Sequence, residues 1–350
     1  MSLGNAASSS AGRAYLLSLG CPKNEVDAQI IAALLGKHNW CLQDTPLGAE
    51  LIIINTCAFI QEAKEESIAA ILEAGKEKQS GSCRWLVVTG CFSQRYGVNL
   101  PKLLPEVDLF LGVNDIPHLG EHISSLVAGA TGNEQKMDTP TFLMSARQSR
   151  MLSGQRHVAY LKIADGCNNH CSYCAIPQIR GVYRSRTIAD TLLEAQELVR
   201  MGVKEVILAA QDTTLFGKDR RGAQENIGTL LRALARIEGV RWLRLLYTHP
   251  AHIDEELLAA IAQEAKVCKY IDLPIQHIND QILQSMNRRV TKKEIIAVLE
   301  KIRQAIPQVA LRTSIIVGYP LETPKRFAEL LAFVEAARFE HLGVFCYSRE

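Results

Sequence analysis

The chain has 350 residues, of which 47% are hydrophobic and 22% are charged, and this is ordinary globular composition. A chain of this length forms about two domains and buries a core large enough to need no disulfide bonds. The formal net charge of +2 gives no indication of a basic surface for nucleic acid. The chain has no apolar run of about 18 residues, which argues against a transmembrane helix. Without a secretory signal, its ten cysteines indicate metal or redox chemistry in the reducing cytosol.

The N-terminal part of the chain alternates short apolar runs with helical patterns. Residues 1–13, "MSLGNAASSSAGR", are small and polar and are expected to form a disordered leader. The alternation beyond them predicts a parallel sheet covered by helices, so we interpret residues 14–135 as an N-terminal α/β domain with a Rossmann or flavodoxin-like parallel sheet. The predicted strands are 14–19, 51–55, 84–90 and 107–112, and the predicted helices are 25–37, 63–78 and a segment near 115–128.

The C-terminal part repeats the alternation after a polar linker. Residues 136–156 are rich in Gly, Ser and Thr and are expected to connect two domains. Six strand–helix steps then predict a partial (β/α)6 barrel over residues 157–350. The predicted strands are 158–164, 204–211, 241–248, 269–276, 309–318 and 341–348, and the predicted helices are 187–201, 227–238, 254–265, 280–286, 292–305 and 323–338.

Three cysteines lie in the segment 165–174, "DGCNNHCSYC", directly after the first strand of this second part. In β/α folds the loops at the carboxyl ends of strands carry the chemistry. A structural zinc needs four ligands, and here the fourth would be His170. Because His170 is next to Cys171 in the chain and adjacent side chains seldom converge on one ion, this arrangement argues against zinc. A four-iron cluster held by Cys167, Cys171 and Cys174 would instead keep one iron open for a substrate or cofactor.

A second set of cysteines follows three predicted strands of the N-terminal part. Cys21 comes after "YLLSLG", Cys57 after "LIIINT" and Cys91 after "LVVTG". If these strands are neighbours, their ends are about 5 Å apart and the three thiols converge. Packing as small buried residues is the alternative, but three cysteines in one structural position favour a second three-thiolate cluster. The other four cysteines are interpreted as packing residues: Cys41, Cys83, Cys268 and Cys346.

The C-x3-C-x2-C spacing, with Tyr173 before the last cysteine, resembles the signature of radical S-adenosylmethionine (SAM) enzymes. This resemblance implies that the three cysteines bind a [4Fe-4S] cluster whose open iron takes the amino and carboxylate groups of SAM. One electron then cleaves SAM to a 5′-deoxyadenosyl radical, and the aromatic residue lies against the adenine. The family fold is a partial barrel of six strands, as counted above.

The two cysteine trios together resemble the methylthiotransferases, which insert sulfur into a C–H bond and methylate it. Matching stretches include "SLGCPKNEVDAQ", "INTCAFIQEAKEESIAAI", "VVTGCFSQRY" and "LPIQHINDQIL". Their details are similar to the branch that modifies the β-carbon of an aspartate in ribosomal protein uS12. The same chemistry on a tRNA adenosine and a non-catalytic zinc-stabilised module are the alternatives. The sequence departs from the family pattern at Ala58 and Leu321, where glycine is usual.

The resemblance also implies cofactors and partners. It implies two [4Fe-4S] clusters, SAM as both radical and methyl source, a flavodoxin-type electron donor and a sulfur donor that the sequence does not identify. It implies a cytoplasmic enzyme, expected to be monomeric and without membrane contact. Family members carry a C-terminal TRAM module, and we expect this domain to be absent from the chain.

Further site residues follow from the resemblance. It implies that Gln211 and Asp212 hold the amino group of SAM, and that Gln276 lies near the ribose. The resemblance also implies cofactor contacts from the fifth strand, at Arg312 and Ser314. It implies that the adenine pocket is lined by Val317 and Gly318. For each polar residue a strand-end hydrogen bond is the alternative.

Several charged residues have open interpretations. Three arginines after the cysteine loop are expected either to balance the thiolates and the SAM carboxylate or to form a solvated face: Arg180, Arg184 and Arg186. His249 and His252 are interpreted as loop histidines because Pro250 lies between them. His277 is a candidate substrate contact.

Overall fold

The computed structural model describes residues 12–130, 137–154, 156–220, 222 and 224–350. The chain divides into two compact units. One unit holds the N-terminal part to Asp138, apart from Phe59–Gln61, together with Ser149–Met151. The other holds Phe59–Gln61, Thr139–Gln148 and Leu152–Glu350. Residues of the segment 136–156, predicted as a linker, therefore fall into both units.

The first unit contains a five-stranded parallel sheet, and this confirms the predicted α/β class. The strand order is 2-1-3-4-5, which is the flavodoxin-like order, with the topological switch point between the first and third strands. The third strand is buried along its whole length, as expected when helices cover both faces of a sheet. The strands are β1 (Gly12–Ser18), β2 (Trp40–Gln43), β3 (Leu51–Thr56), β4 (Trp85–Gly90) and β5 (Leu109–Leu111).

The edge strand β2 was not predicted, and it explains why β1 begins before residue 14. Gly12 pairs with Trp40 and Arg13 with Cys41, so these two residues belong to the sheet rather than to the predicted leader 1–13. The rest of that leader lies outside the described residues. The helices of this part are α1 (Pro22–Lys37), α2 (Gln61–Ser80), α3 (Cys91–Tyr96), α4 (Leu100–Leu103), a 3-10 helix (Val113–His118) and α5 (Leu119–Val127).

The second unit contains six parallel strands that follow one another in chain order. Two three-stranded sheets are joined by a parallel bridge between Leu243 and Val267, which gives the predicted partial (β/α)6 barrel. A short antiparallel pair, β7 with β8, was not predicted. The strands are β6 (Val158–Lys162), β7 (Ala164–Asp165), β8 (Arg184–Ser185), β9 (Glu205–Ala209), β10 (Trp242–Leu245), β11 (Tyr270–Asp272), β12 (Ala310–Val317) and β13 (His341–Cys346).

Polar side chains mark where the barrel helices begin. Thr187 accepts a hydrogen bond from the amide of Asp190, and Thr291 forms a capping box with Glu294. The strands β6, β9 and β10 each contribute one fully buried leucine to the hydrophobic core of this unit. These residues are Leu161, Leu208 and Leu243. The helices are α6 (Ile176–Arg180), α7 (Ile188–Arg200), α8 (Ile227–Ala235), α9 (Glu255–Gln263), α10 (Asp280–Ser285), α11 (Lys292–Ala305) and α12 (Pro324–Ala337), with 3-10 helices at Thr213–Leu215 and Pro250–His252.

Membrane insertion is a separate question from fold class. Among the described residues, no helix combines the length and the apolar character needed to cross a bilayer.

Candidate functional site

The cysteines of the first unit lie at one edge of its sheet. Cys21 precedes α1 beyond the end of β1, Cys57 directly follows β3, and Cys91 begins α3 after β4. Since β1, β3 and β4 are adjacent and parallel, their carboxyl ends are about 5 Å apart. The three strands that precede these cysteines are thus neighbours, as the proposed convergence of the thiols requires. The trio lies at the switch point, where open α/β sheets bind their ligands.

Two asparagines hold the loops that carry this trio. Asn24 Nδ2 donates to the carbonyl oxygens of Leu19 (3.0 Å) and Thr56 (2.8 Å). Its Oδ1 lies 3.6 Å from Cys91 Sγ. Asn55 Nδ2 donates to the carbonyl oxygen of Asn24 at 2.8 Å. Asn24 was not predicted as a site residue, and its position three residues after Cys21 was the only hint in the sequence.

Glycine allows the first two loops of the trio to approach closely. Gly20 has φ +93°, and a Cβ there would lie 2.9 Å from Cys57 Sγ. The family departure at Ala58 causes no comparable conflict. Ala58 is fully buried and is not among the described non-glycine residues with positive φ. Leu321 is 45% exposed and is likewise absent from that set.

The cysteine loop of the second unit begins directly after β7. The amide of Cys167 donates to the carbonyl oxygen of Gly181 at 3.1 Å, and the amide of Asn169 points to Cys167 Sγ at 3.5 Å. Burial raises the pKa of Cys167 to about 11 and that of Cys174 to about 12. These thiols are therefore protonated at neutral pH, and a cluster bound there would have to displace their protons.

The segment after α10 holds this loop from one side. The amide of Ser172 donates to the carbonyl oxygen of Met286 at 3.0 Å, and Asn287 Nδ2 donates to that of His170 at 2.8 Å. Tyr173 packs with Met286 and Tyr319. Long-range contacts of this kind leave no local signal in the sequence.

Arg288 is the cation beside the cysteines, and the sequence analysis missed it. Its side chain is buried, with Nη1 3.8 Å from Cys171 Sγ and 3.5 Å from Tyr173 Oη. Its Nη2 donates to the carbonyl oxygen of Pro274. The only signal in the sequence was an arginine pair after a predicted helix.

The three arginines that follow the loop have partners within the fold, and the predicted solvated face is wrong for Arg180 and Arg186. Arg180 pairs with Asp165 at 3.4 Å, while Arg186 pairs with Asp190 and Glu194. Arg180 and Arg186 are each 2% exposed, so they do not form a solvated face. Arg184 donates to the backbone carbonyl groups of Phe142, Arg180 and Val182. The carboxylates that bind these arginines come from positions that the sequence does not mark.

Gln211 and Asp212 lie just beyond β9, next to the cysteine loop. Gln211 Nε2 donates to Asp165 Oδ1 at 3.0 Å. Its Oε1 is buried and accepts no hydrogen bond within the described part of the chain. Asp212 Oδ2 accepts a hydrogen bond from Asn169 Nδ2 at 2.8 Å. Asp212 is thus connected to the residue between the first two cysteines of the loop.

His249 and His252, interpreted as loop histidines, are brought together by the 3-10 helix that begins at Pro250. Their rings lie 4.7 Å apart, and His252 Nδ1 is 2.9 Å from Asp212 Oδ2. One ligand-type atom from each of these three residues lies within 4.8 Å of the others. Burial, followed by the charge of Arg288, lowers the pKa of His249 to about 3, so this ring is neutral.

The carboxylate of Asp212 is already satisfied by hydrogen bonds. Its Oδ1 accepts from the amide and hydroxyl of Thr214, and its Oδ2 faces Asn169 and His252. This arrangement is a buried polar network that fixes Asn169, rather than an open set of metal ligands.

Of the remaining predicted cofactor residues, Arg312, Ser314 and Val317 lie on β12, while Gln276 and Gly318 lie beyond the ends of β11 and β12. Gln276 has φ +70°, and its amide donates to the carbonyl oxygen of Ser314 at 2.9 Å. Arg312 forms an ion pair with Asp272 at 2.7 Å, which is the strand-end contact considered as its alternative. Val317 accepts from the amide of Tyr347, and the amide of Gly318 donates to Glu322.

His277 is buried, which argues against its prediction as a substrate contact. Its side chain is fully buried, and Nε2 lies 3.1 Å from Glu322 Oε1. Nδ1 accepts the amide of Asn279 at 3.0 Å. Both ring nitrogens are therefore used within the fold.

The donor sets of both trios fit iron–sulfur clusters. Thiolates are the usual ligands of such clusters, and each trio supplies three of them. Gln211 Oε1 adds a buried acceptor without a partner among the described residues, which suits an ammonium group such as that of SAM.

Known protein families match both parts of this chain. The Radical SAM superfamily matches residues 161–334, and the family described as Uncharacterized protein family UPF0004 matches residues 13–112. A ribosomal protein uS12 methylthiotransferase RimO from Syntrophus aciditrophicus is 48% identical over 96% of this chain and 74% of its own length. The protein of the same name from Geobacter sulfurreducens is also 48% identical, with the same coverage.

Solved structures support the fold. The radical SAM methyltransferase TsrM from Kitasatospora setae, solved with cobalamin and a [4Fe-4S] cluster, has a TM-score of 0.71 at 14% identity. The match covers 96% of this chain and 72% of TsrM. The cobalamin-dependent radical SAM enzyme OxsB has a TM-score of 0.61 at 12% identity, covering 93% of this chain and 52% of its own.

The curated relatives are named for a ribosomal protein, which favours the first functional expectation over the tRNA and zinc alternatives. Enzymes of this family use SAM and [4Fe-4S] clusters, so the chemistry implied by the cysteine pattern agrees with the comparisons. The chain belongs to the RimO family of radical SAM methylthiotransferases.

Proposed function

We propose that this chain inserts sulfur and a methyl group at the β-carbon of an aspartate in ribosomal protein uS12. The second cysteine trio carries the methylthiotransferase chemistry of this proposal, and the names of the relatives support the substrate. Cys21, Cys57 and Cys91 stand at the ends of three adjacent strands, separate from the loop trio that marks radical SAM enzymes in general. A radical SAM enzyme that only generates a radical needs no second trio.

The two trios have different roles in this proposal. Cys167, Cys171 and Cys174 hold the cluster that binds SAM, while Cys21, Cys57 and Cys91 hold the cluster at which sulfur is delivered. When bound, these groups supply the electron that cleaves SAM and the sulfur that enters the substrate. The protein contributes orientation, charge balance and exclusion of water.

The residues around the loop position the SAM molecule. Gln211 Oε1, buried and without a partner in the described part of the chain, is the acceptor for the SAM ammonium group. Tyr173, held by Met286 and Tyr319, presents its ring to the adenine. Asp212 fixes the loop through Asn169. Gln276 is assigned to the ribose, with Val317 and Gly318 along the adenine.

The partners are part of the same proposal. The relatives' name supports uS12 as the substrate, and its aspartate is the residue that loses a hydrogen atom. We assign reduction of the loop cluster to a flavodoxin-type protein. We place the reaction in the cytoplasm, where a ribosomal protein is made, with the enzyme acting as a monomer.

The test is a reaction of the anaerobically reconstituted chain with uS12, SAM, a sulfide source and a reductant. Mass spectrometry of the uS12 peptides should show one methylthio group on an aspartate. Bulk tRNA in a parallel reaction is the control and should remain unmodified. Methylthio-adenosine in the tRNA together with unmodified uS12 would contradict the proposal.

A further inference from the structure

Arg288 is a buried cation that forms no ion pair with a carboxylate of the described residues. The residue is 5% exposed. No carboxylate oxygen lies within 4.0 Å of its guanidinium nitrogens in the part of the chain that the structure describes, because none of the ion pairs found there includes it. Its Nε is buried and makes no hydrogen bond with the described residues. A buried guanidinium in such a position is costly unless an anion compensates its charge.

Asp212 acts on Arg288 from beyond ion-pair distance, and the groups in direct contact with the guanidinium that can carry negative charge belong to the cysteine loop. Nη1 lies 3.8 Å from Cys171 Sγ and 3.5 Å from Tyr173 Oη. Both groups are neutral in their ordinary protonated form, so they compensate a cation only when the loop carries thiolates. Three thiolates outweigh the double positive charge of an oxidised four-iron core, and reduction adds one more negative charge.

The backbone fixes Arg288 in this place. Its neighbours Asn287 and Arg289 have φ +54° and +53°, which is the left-handed region that most residues with a side chain avoid and that asparagine tolerates. Asn287 Nδ2 donates to the carbonyl oxygen of His170, and Arg288 Nη2 donates to that of Pro274. These two hydrogen bonds hold the Arg288 side chain and its backbone against the loop. Arg288 is buried, whereas the neighbouring Arg289 is exposed.

We propose that Arg288 is the positioning residue that balances the charge of the cysteine loop and raises the reduction potential of the cluster bound there. A cation beside the cluster stabilises the reduced, more negative state relative to the oxidised one. This inference rests on the proposed function only in requiring a four-iron cluster on Cys167, Cys171 and Cys174.

The test is a redox titration of the reconstituted chain, followed by EPR. The signal of the loop cluster is identified as the one that changes when SAM is added. Arg288→Gln removes the charge but keeps a donor for the Pro274 carbonyl oxygen. We expect it to lower the equilibrium constant for one-electron reduction at least tenfold, which corresponds to a potential lower by about 59 mV.

Two further variants keep the result interpretable. Arg289→Gln removes the exposed neighbouring charge in the same backbone conformation and should leave the potential unchanged. Arg288→Lys keeps the charge and should restore most of the potential. If Arg288→Gln fails to hold the cluster, an Arg288→Lys variant with full iron and sulfide content and a near-native potential still supports the proposal.

Three outcomes would overturn it. One is an Arg288→Gln protein with full iron content and a wild-type potential. Another is equal loss of the cluster in the Gln and Lys variants. A third is weaker SAM binding with an unchanged potential, which would make Arg288 an anchor for the SAM carboxylate. None of these measurements uses uS12, so failure to modify uS12 would count against the proposed function and not against this inference.

Discussion

Asp165 illustrates how single residues maintain charge balance beneath the cysteine loop. Its carboxylate, 2% exposed, lies 3.1 Å from Lys162 Nζ and 3.4 Å from Arg180 Nη1. It also accepts hydrogen bonds from the amide of Gly166 and from Gln211. Burial alone would raise the pKa of this carboxyl, but Lys162 and then Arg180 outweigh burial and hold it well below its usual range. One carboxylate thus compensates two buried cations and orients a candidate SAM residue.

Replacing this carboxylate should destabilise the protein strongly. Asp165→Asn removes a buried counter-charge from Lys162 and Arg180, and we expect a loss of about 3–5 kcal/mol in the free energy of unfolding. Urea denaturation followed by circular dichroism measures it. Glu255→Gln, whose side chain is 89% exposed, is the control and should change stability by less than about 0.5 kcal/mol. Equal effects of the two substitutions would contradict this account of Asp165.

The two cysteine trios should separate by substitution. Alanine at Cys167, Cys171 or Cys174 should abolish SAM cleavage, because the SAM-binding cluster loses a ligand. Alanine at any cysteine of the other trio should spare SAM cleavage and stop sulfur insertion. That trio is Cys21, Cys57 and Cys91. Chromatography of 5′-deoxyadenosine and mass spectrometry of uS12 measure the two steps separately.

A cysteine outside both trios serves as the control for this comparison. Cys41 is exposed, and Cys41→Ala should leave both steps unchanged. If substitutions in the two trios abolished SAM cleavage equally, with the loop cluster still present, the proposed division of roles would be wrong.

At the scale of elements, close backbone approaches position both trios. Gly166 connects β7 to the cysteine loop with φ +80°, and a Cβ there would lie 2.1 Å from the carbonyl oxygen of Val182. The loop therefore runs against the chain that leads into β8. Gly20 has the same function in the first unit, where it lets the loop after β1 approach Cys57. Each trio depends on one glycine that permits a contact between two loops.

An alanine at Gly166 should displace the cysteine loop. The left-handed backbone costs about 1–2 kcal/mol for alanine, and the clash with the Val182 carbonyl adds to that. We expect Gly166→Ala to lower both the stability and the iron content of the reconstituted protein, measured by denaturation and by metal analysis.

A second glycine separates the backbone effect from the clash. Gly202 has φ +101°, and no atom lies within 4 Å of a Cβ placed there. Gly202→Ala should therefore lose stability through its backbone alone and keep its iron. Equal iron content in the two variants would show that the contact with Val182 does not position the loop.

At the scale of the whole molecule, each of the two compact units carries one cysteine trio on its own fold. The first unit presents its trio at the switch point of a flavodoxin-like sheet. The second presents its trio on the loop that follows the first barrel strands. This organisation is what distinguishes a methylthiotransferase from a radical SAM barrel alone.

Metal analysis of the intact chain tests this organisation. Two four-iron clusters give about eight iron atoms and about eight sulfides per chain after anaerobic reconstitution. The double substitution Cys57→Ala with Cys91→Ala should remove about half of each, because one cluster remains on the loop. A colourless protein that contains zinc and no iron would contradict the two-cluster assignment.

Local patterns were sufficient for the class of fold and for proposing the two cysteine trios. Runs such as "LIIIN" before Cys57 and "LVVTG" before Cys91 identified buried strands, because a strand covered on both faces is apolar throughout. The spacing of Cys167, Cys171 and Cys174 identified the loop, since ligands within eight residues need no tertiary information to be close. The short strands β2, β7 and β8 were missed because a few residues carry little periodicity.

The sequence by itself determined the two α/β regions, the barrel steps and the six cysteines, because these depend on periodicity and on short spacings. Only the tertiary structure decided that β1, β3 and β4 are neighbours, which is what places Cys21, Cys57 and Cys91 at one sheet edge. It also decided that Arg288, distant in sequence, faces Cys171, while Arg186 is bound by Glu194. Strand order and ion pairing depend on long-range packing, and the choice of a charge partner is made by proximity in space.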